Sequence, residues 1–132
     1  MDSAKDLQVD AKVAIVFDAA TEGVGEIVRA VHDLVAAHAL QQGGATVRLL
    51  FDGPGVAWLA FFQNERDPLA QRLGALFQEM KQAGLLYEVC GRCVEVFGVR
   101  EPLAAHGEPM TDGVTEHPSV TALVVEGYRI QV

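Results

Sequence analysis

The chain reads as an α/β protein: a mostly parallel sheet of four or five strands with helices on both faces. Three observations lead there. Short apolar runs without polar alternation, KVAIVFDA (12–19) and ATVRLLF (45–51), read as strands buried on both faces. Between them the apolar residues recur at helical spacing, most clearly from Gly23 to Gln42. Strand and helix patterns then alternate along 132 residues, a length that fits one domain with a real core.

The elements follow in order. Residues 1–11 are polar and read as a flexible leader, leaving 12–132 as the single domain. After the first strand, Ile27, Val28, Val31, Leu34, Val35 and His38 form one stripe of the long helix. Thr21 is its expected cap, and Gly43-Gly44 stops it. The second strand runs into DGPG and a short helix, VAWLAFFQ, with Trp58 and Phe61 or Phe62 as its buried face. Asp67 and Pro68 open another helix as cap and first helical residue. Leu69, Leu73, Leu76, Phe77 and Met80 carry it, and Gly84 ends it. LLYEV (85–89) is a third strand, followed by a short helix from Gly91 to Phe97 closed by Gly98. REPLAAHGEPMTDGVTEHP (100–118) reads as a loop with a short strand near 109–114. Ser119 caps a last helix reaching Glu126, Gly127 stops it, and YRIQV is the final strand.

Ten basic against eighteen acidic residues give a net charge of -8, which argues against nucleic acid or an anionic membrane as the main partner. No apolar run is long enough to span a bilayer, and no export signal is evident, so a cytoplasmic setting is expected. Thiols stay reduced there, and a C-x-x-C pair is more often redox-active, catalytic or metal-binding than a structural disulfide.

Both cysteines lie in YEVCGRCVEVFG (87–98). Cys90 falls at the carboxyl end of a strand, where sites form in parallel sheets, and at the start of a short helix. Helix N-termini carry unsatisfied N–H groups that favour a thiolate. Cys93 lies on the same helical face. Gly91 and Arg92 are the candidate anion-binding residues, through their backbone N–H groups and the Arg92 charge. The sulfur of Cys90 is expected to be open to solvent or a docked neighbour. Two small buried thiols remain the plain alternative.

No metal and no cofactor are expected. Cys90, Cys93, His106 and His117 superficially resemble a Cys2His2 set, but the spacing of the second histidine does not fit a finger. His106 is a candidate base towards Cys90. The Gly23 and Gly25 loop lacks the third glycine of a dinucleotide fingerprint. DGPG (52–55) is mostly turn chemistry, though it follows a strand and can rim the same pocket.

KVAIVFDAATEG, VRLLFDGPGVAWL, KQAGLLYEVCGRCVEVFGV and SVTALVVEGYRIQV, in that order, make the chain similar to the DsrE/DsrF-like family of small sulfur-relay proteins from about Lys12 to Val132. The resemblance implies a flavodoxin-like three-layer α/β/α sandwich and a homo-oligomer, trimer or hexamer. It also implies a sulfur donor or acceptor protein as partner, and sulfane sulfur held as a persulfide on Cys90. Cys93 matches only relatives with a C-G-x-C pattern. Three functions stay open: a sulfur carrier or sulfurtransferase-like protein, a thiol–disulfide redox protein using both cysteines, and a non-catalytic oligomeric binding module.

Overall fold

The computed structural model describes residues 11–110 and 120–132. The strands are β1 (Lys12–Phe17), β2 (Thr46–Phe51), β3 (Leu86–Val89) and β4 (Tyr128–Gln131). The helices are α1 (Val24–Gln42), α2 (Ala57–Phe61), α3 (Pro68–Gln82), α4 (Gly91–Val96), α5 (Arg100–Ala105) and α6 (Val120–Val125), with a 3-10 turn, Gly53–Val56, before α2. Residues 1–10 of the leader, the stretch 111–118 and the Ser119 cap lie outside the described residues.

Four strands form one sheet in the order β3-β2-β1-β4, and every pair is parallel. Side chains alternate across it. Val13, Ile15 and Phe17 of β1 and Val47, Leu49 and Phe51 of β2 face one side, packed on Ala30, Leu34 and Ala37 of α1 and Phe77 and Met80 of α3. Ala14 and Leu50 face the other, with Leu123 of α6 and Tyr128. Two crossovers stepping from β1 to β2 to β3 share a hand, so α1 and α3 share a face. The return past β1 to β4 sends α6 to the opposite face. The result is the three-layer α/β/α sandwich of flavodoxin-like proteins, with a thick helical layer on one side and a thin one on the other.

Caps and stops set the boundaries of several elements. Asp67 Oδ1 accepts the Leu69 and Ala70 N–H groups at 2.9 and 3.0 Å, which holds the first turn of α3 with Pro68 behind it. Gly84, with φ 98°, turns the chain from α3 into β3.

Three expectations need correction. Thr21 does not cap α1: Gly23 holds the cap position with no side-chain cap, and Glu26 instead reaches back to the Ala20 N–H at 3.0 Å. Of the expected α1 stripe, Leu34 is buried and Ile27 and Val31 pack on the core, but the other fully buried positions are Ala30 and Ala37, while Val28 and Val35 are exposed. Small alanines let the helix lie close to the sheet, whereas hydrophobicity alone favours the valines. Residues 100–105 form a helix, not a loop. Pro102 falls in its first turn, where its missing N–H has no intrahelical use, and Leu103 is buried below it. The expected strand near 109–114 is represented among the described residues by one parallel bridge, Val89 to Met110. No helix among the described residues is long and apolar enough to cross a membrane.

Candidate functional site

The register of the sheet builds the site. Phe51 of β2 pairs with Val89 of β3. The next residue of each strand, Asp52 and Cys90, therefore leaves the sheet beside the other, and the Cys90 N–H donates to Phe51 O at 2.9 Å. Each then starts a turn. Asp52 Oδ1 accepts the Gly53 N–H at 3.0 Å and caps the 3-10 turn, with Pro54 at its start. Cys90 is extended, φ -67° and ψ 111°, and its Sγ accepts the Cys93 N–H at 3.4 Å, which caps α4.

The two turns meet through Cys93. Its Sγ accepts the Gly53 N–H at 3.3 Å and donates its own proton to Asp52 Oδ1 at 3.2 Å. The Cys90 and Cys93 sulfurs and an Asp52 oxygen all lie within 4.8 Å of one another. Both cysteines are thiols. Gly55 fixes the Asp52 turn against β1, because a Cβ there would stand 2.0 Å from the Phe17 carbonyl oxygen. Trp58, fully buried, anchors the following helix by donating its indole N–H to Ala19 O at 2.9 Å.

Burial pushes the Cys93 thiol up to about 12, and its contacts with Cys90 and Asp52 add to that against the opposing Gly53 N–H. Cys93 therefore keeps its proton at neutral pH and lends it to the carboxylate. At the neighbouring end of β1, Arg29 pairs with Asp18 at 2.5 Å and Glu26 at 3.1 Å. The Ala20 N–H, and then Arg29, hold the Glu26 carboxyl below its ordinary range.

Cys90 stands at the strand end and helix start, as its sequence position implies, but it is not open to solvent. It is 0% exposed, and Cys93 9%. The sulfur turns back into the first turn of α4 as a cap, with Cys93 and the Gly53 turn packed beside it. The Cys93 N–H, three positions on, donates to this sulfur at 3.4 Å. Gly91 is buried at the first position of α4 and Arg92 is exposed. His106 ends α5, and His117 lies outside the described residues. The residue brought to the thiols is Asp52, which the sequence placed only on the rim. The cavity between α2 and α3, lined by Leu59, Phe62, Gly74 and Phe77 among others, includes neither cysteine.

Among solved structures, a conserved protein of unknown function from Bacteroides thetaiotaomicron is similar over 95% of this chain and 97% of its own, with a TM-score of 0.57 and 20% identity. That likeness shows the fold. No protein of curated function matches the chain. The model of the DsrE/DsrF-like family matches residues 11–130, nearly the whole of this chain: the chain belongs to the DsrE/DsrF-like family.

Proposed function

We propose that the protein carries sulfane sulfur as a persulfide on Cys90, with Cys93 and Asp52 as the groups beside it. Family membership supports a sulfur-relay role in general. The observation that carries the finer reading is the convergence of two sulfurs and a carboxylate within 4.8 Å at the carboxyl end of the sheet.

In the loading step the Cys90 thiolate attacks the outer sulfur of a donor persulfide, R–S–SH. A new S–S bond forms on Cys90, and R–S⁻ leaves and takes up a proton. An acceptor thiolate then removes the outer sulfur and restores Cys90. Alternatively, Cys93 passes its proton to Asp52 as it attacks the inner sulfur, releasing HS⁻ and leaving a Cys90–Cys93 disulfide. Because Cys90 is fully buried, a donor reaches it only when the first turn of α4 moves. Cys93 acts as a lid on the sulfur it neighbours.

The test is exposure of the reduced protein to a persulfide donor, followed by intact mass spectrometry. The expected result is a gain of one sulfur atom by the wild type and by Cys93→Ala, faster in the variant. Cys90→Ser should gain none. A Cys90→Ser protein that loads as the wild type does would overturn the assignment to Cys90.

The proximity of the two thiols also favours a second reading, thiol–disulfide exchange. It predicts a defined reduction potential for the pair and loss of activity in Cys93→Ala, the variant that the carrier reading expects to load. A non-catalytic module is the outcome if iodoacetamide leaves Cys90 unmodified in the folded protein and no sulfur is gained. We also propose a cytoplasmic setting, which would keep both thiols reduced, and a homo-oligomer of three or six copies. A sedimentation mass equal to one chain would count against the oligomer.

A further inference from the structure

We infer that the reduced Cys90, Cys93 and Asp52 cluster is a binding site for a thiophilic divalent cation of the zinc class, held by two thiolates and one carboxylate with a fourth position open. The inference stands on geometry alone and does not need the sulfur-carrier reading.

Zinc binds thiolate at about 2.3 Å and carboxylate at about 2.0–2.2 Å, so a tetrahedral ion sets its donors roughly 3.5–3.8 Å apart. Here Cys93 Sγ and Asp52 Oδ1 are 3.2 Å apart, and the widest separation in the cluster is within 4.8 Å. An adjustment of about 1 Å closes the set. The ion displaces two protons to solvent, the one that joins Cys93 to Asp52 and that of the Cys90 thiol. Two sulfurs and one oxygen suit a borderline-soft cation rather than magnesium or calcium, which prefer oxygen alone.

The surroundings supply a further argument. Two thiolates and a carboxylate carry three negative charges, one more than a divalent ion offsets. Backbone donors already point at the same atoms: the Cys93 N–H at the Cys90 sulfur, and the Gly53 N–H at both the Cys93 sulfur and Asp52 Oδ1. Such outer hydrogen bonds orient ligands and share their charge. They come from two separate turns, and the sheet register holds those turns together. Residue spacing alone pointed away from metal because the set it suggested drew on His106 and His117. The third donor here comes from a different strand.

The experiment is an anaerobic titration of the reduced protein with Co²⁺ as a spectroscopic probe, then displacement by Zn²⁺. The expected result is one ion per chain, a sulfur-to-cobalt charge-transfer band and visible bands of four-coordinate cobalt. Cys90→Ser and Cys93→Ser should each reduce the charge-transfer intensity to that of one thiolate. Asp52→Asn can still cap the Gly53 turn, so its fold is preserved while its ligand charge is lost. It should weaken binding at least tenfold, since even a group that only supports a ligand is worth roughly ten- to a hundredfold in metal affinity. Absence of the charge-transfer band at stoichiometric Co²⁺ in the folded wild type would overturn the inference. So would an Asp52→Asn protein that binds as tightly as the wild type. Cobalt spectra do not report sulfur loading, and intact mass does not report cobalt, so failure of one reading is separate from failure of the other.

Discussion

Gly55 shows how little freedom the residues around the thiols have. An added Cβ would meet the Phe17 carbonyl carbon at 2.7 Å as well as its oxygen, and neither backbone atom can swing aside. Gly55→Ala should therefore destabilise by roughly 2–3 kcal/mol or more, the cost of overpacking against backbone. Chemical denaturation would show it as a lower midpoint, and an unchanged midpoint would contradict the close approach. Trp58→Phe tests a different bond. It keeps most of the ring contact with Phe17, whose centroid is 6.3 Å away, but removes the donor to Ala19 O. A loss of about 1–2 kcal/mol is expected from the unpaired buried carbonyl.

At the scale of elements, caps and charges decide more than propensity does. Asp67→Ala removes the acceptor for two N–H groups and should cost about 1 kcal/mol, read as a lower melting temperature. Asp33, on α1, is a carboxylate in the wrong place. Burial raises its value above the ordinary 3.8, only partly opposed by Arg29. The folded state thus binds this proton more readily than the unfolded state, so ionised Asp33 detracts from stability at neutral pH. That penalty is relieved as pH falls through the raised value. Asp33→Asn should raise the melting temperature modestly at pH 7 and lose the advantage below pH 3.8. An equal gain at both pH values would point to another cause.

Across the whole molecule the two faces of the sheet are unequal. One holds most of the core, including the aromatic group in which Phe51 stands 5.0 Å from Phe17 and 5.7 Å from Phe77. The other has Ala14, Leu50, Leu123 and Tyr128, with Val16 and Ile130 partly covered. Leu34→Ala, on the thick side, should cost about 2–5 kcal/mol, measured by denaturant unfolding. Amides of α6 and β4 should exchange with solvent faster than those of β1 and β2, because fewer buried contacts hold that layer. Equal protection across the four strands would show that the thin face opens only with the whole.

Much of this architecture is local, and the sequence determined it alone. The apolar runs of β1 and β2, the Asp67–Pro68 start and the glycine stops each depend on neighbours a few residues away. So does the placing of Cys90 at a strand end with Cys93 three positions on. The face of α1 was not legible in that way, because Ala30 and Ala37 are chosen by distance to the sheet and not by hydrophobicity. The α5 helix was missed because Pro102 is a breaker everywhere except in a first turn. Only the tertiary structure brought Asp52 to Cys93, since no spacing rule spans their separation along the chain. The parallel register that sets Phe51 beside Val89 does so, by releasing Asp52 and Cys90 from the sheet together. Burial of Cys90 was decided the same way: helix-start position says where a sulfur stands, and packing from other strands says whether water reaches it.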